Sequence, residues 1–277
     1  MIAQIINADV GGRGIGRVYL EYRMRNYDFL REAAEILTKN AGRVVIATGF
    51  PVLPTMKSEN DGPPGAVAIY GAVEKLGGRA FILTLDDLRE AMSPLVSNFT
   101  TKEETERWID ERKVSLLISV ESPARAPDGS YHSMSGARVD VDGFDELFVR
   151  AQERGIPTIG IGDGGNEIGM ANVRDLVVRY IPKGSEIVSA VGVDHLITAG
   201  VSNWGAYGLV AEASILSGKY LLPDWKEEEV LRVLNYFGIV DGVRGKVSMS
   251  VDGISLDVHE GVKDLLRGIT KEKLRKR

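Results

Sequence analysis

Short apolar runs rich in β-branched residues recur between amphipathic stretches, and this alternation restricts the chain to few architectures. Residues 80–84, 114–120 and 158–161 and the run Arg43–Thr48 read as strands. Between them residues 27–39, 65–76, 102–112 and 144–154 carry apolar side chains at helical spacing; Phe29, Leu30, Ala33, Ala34 and Leu37 fall on one stripe. Strands alternating with helices imply an α/β fold, a mostly parallel sheet with helices on both faces, Rossmann-like and three-layered. Helices around 204–216 and at Glu227–Tyr236, a hairpin-like stretch over 246–256 and a closing helix form a small C-terminal α+β extension. No repeat or linker divides the 277 residues, so a single domain over 1–277 is expected, with 220–277 as a flanking subdomain at most.

Three of the strands run into unusual loops. Arg43–Thr48 leads to Glu59-Asn60-Asp61-Gly62-Pro63-Pro64-Gly65, and the strand over 114–120 delivers Glu121 at once. The strand over 158–161 empties into Gly162-Asp163-Gly164-Gly165-Asn166-Glu167. Glycine lets backbone approach a ligand closely, and core packing has no use for Asp163, Asn166 and Glu167 crowded together. In a parallel sheet the carboxyl ends of the strands share one edge, where open α/β folds bind ligands. Glu59, Asp61, Glu121, Asp163 and Glu167 are therefore expected to converge. Several carboxylates in one place repel unless protons or cations relieve them. With basic residues scarce in these loops, a divalent cation is the natural relief, Mn2+ or Mg2+, and five acids are enough for two ions.

Each acid has a plainer reading too. Asp61 could cap the helix that opens near Pro64, and Glu167 could favour a helix N-terminus. Gly160-Ile161-Gly162-Asp163-Gly164-Gly165 also fits the dinucleotide pattern G-x-G-x-x-G. Asp163 would sit where a pyrophosphate belongs, which argues against a nucleotide cofactor. His195, with Asp194 beside it, is a candidate acid or base, or else an ordinary half-buried histidine. Ser202 reads as a helix N-cap. Arg13, in Gly11-Gly12-Arg13-Gly14, could neutralise an anionic substrate or hold a turn.

Composition removes whole classes. The chain has no cysteine, so disulfides, thiolate metal sites and cysteine nucleophiles are out. Its three histidines share no ligand spacing, so any metal is expected to be held mostly by oxygen. A net charge of −5 argues against nucleic acid as a partner. No apolar run approaches the roughly 20 residues that span a bilayer, and no signal-peptide pattern opens the chain. A cytoplasmic protein acting on a small anionic substrate is expected; association into a homo-oligomer is left open.

The motifs, in their order, resemble the C-terminal domain of the D-glutamate cyclase family. They are Asp9 with Gly12-Arg13-Gly14, Thr48-Gly49-Phe50, Glu59-Asn60-Asp61-Gly62-Pro63-Pro64-Gly65-Ala66, Glu121-Ser122-Pro123, Asp128-Gly129-Ser130-Tyr131, the stretch Gly160 to Met170, Asp194-His195 and Ser202-Asn203-Trp204-Gly205. Asn60 and Ser122 depart from the threonine and arginine usual there. The resemblance implies a hydro-lyase that turns D-glutamate into 5-oxo-D-proline and water. It implies a metal on Glu59, Asp61, Asp163 and Glu167, and proton movement by Glu121, His195 and Asp194. It further implies substrate binding by Arg13, Thr48, Gly164, Gly165, Asn166, Ser202 and Asn203. As chemistry alone, a Mn2+- or Mg2+-dependent phosphatase fits the acidic, glycine-lined site equally well; a non-catalytic small-molecule binding domain is the third reading.

Overall fold

A computed structural model describes residues 1–276. The centre is a five-stranded sheet: β1 (Arg43–Thr48), β2 (Arg79–Thr84), β3 (Leu116–Val120), β4 (Thr158–Gly162) and β5 (His195–Thr198). The order is β2-β1-β3-β4-β5, and every pairing is parallel. Thr48 is in register with Thr84 on one side and Val120 on the other, so the carboxyl ends of these strands lie level. Strands covered on both faces need apolar residues at successive positions, not alternate ones. Leu116–Val120 is buried throughout for that reason.

Helices surround the sheet, as the strand–helix alternation implies. Phe29–Lys39, Pro63–Lys75 and Ser202–Ser217 pack together, the last lying between the other two. Lys102–Asp110 and Asp145–Glu153 pair with each other elsewhere, and Trp108 meets Phe81 of β2 edge-on at 4.9 Å between ring centres. Ser202–Ser217 is buried almost all round, because Leu256–Arg275 covers its outer side. Close approach there depends on Gly65, where an added Cβ would lie 2.7 Å from the Ala206 Cβ. The two helices thus meet near their first turns, at the level of the sheet's carboxyl edge.

The structure adds elements that the pattern did not suggest: β5, and the helices Ile15–Arg25, Asp86–Met92 and Arg174–Tyr180. Four residues are too few for β5 to declare a period. The 246–256 stretch shrinks to a hairpin of Ser250–Val251 with Ile254–Ser255, turning at Asp252 and Gly253. Among the described residues no helix is long and apolar enough to cross a membrane.

Candidate functional site

A cleft of about 290 Å³ opens over the carboxyl edge of the sheet. Arg13, Glu59, Glu121, Asp163 and Asp252 supply its charged lining, with Asn166 beside them. Phe50 to Leu53 forms one apolar wall, and Met134 and Val243 contribute to others.

Glu121 follows β3 directly and holds a left-handed backbone, φ 48°, uncommon for a residue with a side chain. That turn sends its carboxylate back over the strand ends. Oε2 accepts a 2.6 Å hydrogen bond from the Ser202 hydroxyl. Burial, then Glu167 and Asp163, push the Glu121 carboxyl well above the usual range. Asp163 follows β4 directly. Burial raises it and Arg13 opposes the rise, with Asp252 and Asp61 adding to it.

Glu167 is turned inward on its own loop. Oε1 accepts from the Asp163 and Gly164 amides at 3.0 and 2.6 Å, and Oε2 from Gly165 at 2.6 Å. The glycine loop is therefore a nest built around an internal carboxylate. Asn166 donates to the His132 carbonyl at 2.7 Å and anchors the short hairpin of Tyr131–His132 with Arg138–Val139, whose turn brings Met134 to the cleft.

Asp61 caps a helix, though not the one that follows it in the chain. Its carboxylate accepts the amides of Ser202 and Asn203, each at 2.9 Å, at the start of Ser202–Ser217. Burial and then Asp252 raise Asp61 to about 8, against those amides. Asn203 in turn accepts from Gly62 and Gly65 at 3.0 and 2.8 Å, at the start of Pro63–Lys75. Ser202 stands inside its helix and Val201 holds the N-cap position, so the N-cap reading of Ser202 is replaced by its bond to Glu121.

Arg13 reaches the cleft from the N-terminal loop, which Asp9 shapes by accepting the Arg13 and Gly14 amides at 2.9 Å each. Its Nη2 forms ion pairs with Asp163 and, at 2.7 Å, with Asp252. Burial alone would lower the Arg13 guanidinium, but Asp163, Asp252 and Asp61 outweigh it and hold the pKa well above its ordinary value. The cation that the acids require is thus supplied in part by the chain itself. One guanidinium among six acids (Glu59, Asp61, Glu121, Asp163, Glu167, Asp252) leaves acids in excess, which protons or a further cation must relieve.

Two acidic trios have oxygens within 4.8 Å of one another: Asp61, Asp163 and Asp252, and Glu121, Asp163 and Glu167. Glu59 belongs to neither. Asp252 was not suggested by its sequence, where Asp-Gly before Ile254 signals only a tight turn. Nothing local says that this turn folds over loops a hundred residues away.

Asp194 and His195 are not in the cleft. Asp194 accepts from the Thr158 amide and hydroxyl, both at 2.9 Å, and His195 opens β5 in register with Ile159. Both stand at the amino edge of the sheet, so the expected acid–base role at the carboxyl edge fails on geometry. Strands of four or five residues at about 3.3 Å each separate the two edges. Thr48 ends β1 fully buried beneath the site; its hydroxyl has no hydrogen-bond partner among the described residues.

Comparison with known proteins agrees with the motifs. Residues 2–267 match the family described as D-glutamate cyclase-like, C-terminal. The mitochondrial D-glutamate cyclase of Homo sapiens is 30% identical over 305 aligned positions, covering 91% of this chain and 48% of that protein. The chain therefore spans about half the length of this curated relative. Among solved structures, exonuclease RecJ bound to manganese aligns with 75% of this chain and 42% of that one. Its identity of 12% and TM-score of 0.38 are too low to bear on the site. The matched span and the human relative together make this chain a member of the D-glutamate cyclase-like C-terminal family.

Proposed function

We propose that the cleft cyclises an acidic amino acid with loss of water, D-glutamate to 5-oxo-D-proline being the reaction that the human relative's name suggests. What carries the reading is the meeting of Arg13 with Glu121 and Asp163 in a cleft of small-molecule size. Such a substrate brings two carboxylates and an ammonium group. Its nitrogen must lose one proton to attack the side-chain carboxyl carbon and a second as the lactam forms, while one carboxyl oxygen takes up two protons and leaves as water. Arg13 Nε and Nη1 make no hydrogen bond among the described residues and are free to hold an anionic carboxylate. Glu121, whose carboxyl burial and then Glu167 and Asp163 push well above the usual range, is the proton donor to the leaving oxygen. Ser202 holds the other Glu121 oxygen and so aims the acid.

The donor set suits a hard divalent cation such as Mn2+ or Mg2+: it is all oxygen, and Asp163 is common to both trios. Asp61, Asp163 and Asp252, or Glu121, Asp163 and Glu167, would hold it, and it would supply Lewis-acid polarisation of the carboxyl group. The shared Asp163 also favours a second reading, hydrolysis of a phosphate monoester between two ions.

The test is incubation of the purified chain with D-glutamate and with L-glutamate, with and without Mn2+, following 5-oxoproline by chiral chromatography. A generic phosphomonoester with Mn2+ serves as the parallel arm. Enantioselective 5-oxoproline formation is expected; ester turnover without it would replace the first reading by the second.

A further inference from the structure

Glu59 differs from the other acids of the cleft. Each of the others has a hydrogen-bond or ion-pair partner: Glu167 the amides of its own loop, Asp61 helix amides, Asp163 and Asp252 Arg13, and Glu121 Ser202. The Glu59 carboxylate has no hydrogen bond or ion pair among the described residues, yet the residue is only 8% exposed and lines the cleft. Burial pushes the Glu59 carboxyl up towards its protonated form, so it is a charged carboxylate only when a cation meets it there. The protein also makes room for it. A Cβ at Gly242 would lie 1.7 Å from Glu59 Oε2, so only glycine there leaves the carboxylate its place. The backbone on either side is tied: the Glu59 amide donates to Phe50, and the Asn60 amide to Val240.

We propose that Glu59 is the receptor for the cationic group of the ligand, in the cleft that Arg13 also lines, so that the cleft selects molecules carrying an ammonium group and carboxylates together. The inference rests on the amino-acid reading of the cleft but concerns recognition, not turnover. Charge-assisted hydrogen bonds of this kind are worth roughly ten- to a hundredfold in affinity.

The probes are D-glutamate and glutarate, which is the same dicarboxylate without the nitrogen. Binding to the whole chain is measured calorimetrically, with 5-oxoproline assayed separately. Wild-type protein should bind D-glutamate at least tenfold more tightly than glutarate, and Glu59→Gln should bring the two close to equality. Gly242→Ala keeps the charge but displaces the carboxylate, and should lose the preference too. If Glu59→Gln folds poorly by circular dichroism, the Gly242→Ala result decides. An unchanged preference in the folded variants overturns the proposal, as does failure of wild-type protein to prefer D-glutamate. A preference without any 5-oxoproline would instead sink the cyclase reading and leave Glu59 in its role.

Discussion

Asp61 and Asn203 cap each other's helices. Asp61 accepts the first amides of Ser202–Ser217, while Asn203 accepts amides from Gly62 and Gly65 at the head of Pro63–Lys75. Two helix N-termini are thereby locked side by side under the cleft, and their partial positive charges face its acids.

Loss of either cap should therefore be felt as stability. Asn203→Ala leaves buried amides without an acceptor and should cost about 2 kcal/mol in denaturant unfolding. The double variant with Asp61→Asn should cost less than the sum of the two singles, since the residues form one unit. Strict additivity would show that the caps act independently.

Stability should depend on pH in an unusual direction. Asp61 is raised from 3.8 to about 8, and Glu59, Glu121 and Asp163 are also raised. Across that window the folded state binds more protons than the unfolded one, so stability falls as pH rises from about 4 to about 8. Thermal melts of cation-free protein should show a lower midpoint at pH 8 than at pH 5.5. Millimolar Mn2+ should restore more of it at pH 8, where the carboxylates are free to bind. A midpoint that climbs steadily over this range would refute the assignment of these acids as proton-holding.

Turnover should separate the two edges of the sheet. Glu121→Gln should lower kcat by about a hundredfold or more, the usual scale for a general acid. Ser202→Ala, which only aims that acid, should lower it by about tenfold. His195→Gln should leave it within about twofold, because His195 stands at the far edge. A large loss in the His195 variant would return that residue to the chemistry.

Away from the cleft, Lys263 and Glu227 form a fully buried pair at 3.0 Å. The Tyr207 hydroxyl donates to the same carboxylate, and the lysine lies 4.3 Å from the Trp225 ring centre. Lys263→Met strands a buried carboxylate and should cost about 3–5 kcal/mol. Adding Glu227→Gln should recover most of that loss in the same unfolding measurement.

Residues that serve local rules were legible, and residues that serve distant ones were not. The stripe of Phe29, Leu30, Ala33, Ala34 and Leu37 follows helical periodicity and packs as such. The loop Gly162 to Glu167 betrays itself because glycine and acid together have no place in a core. Asp252 offers no such sign, since a turn aspartate looks the same whether it faces solvent or Arg13. His195 misled for the converse reason: a histidine beside an aspartate suggests chemistry, and only strand direction shows which edge it occupies.

The chain's order of residues by itself determined the parallel α/β architecture and the family, because periodicity and motif spacing are local properties. Tertiary structure alone decided which acids meet, that Arg13 stands among them, and that Asp61 caps a helix more than a hundred residues away. Electrostatic energy depends on distance through space, and distance along the chain does not report it.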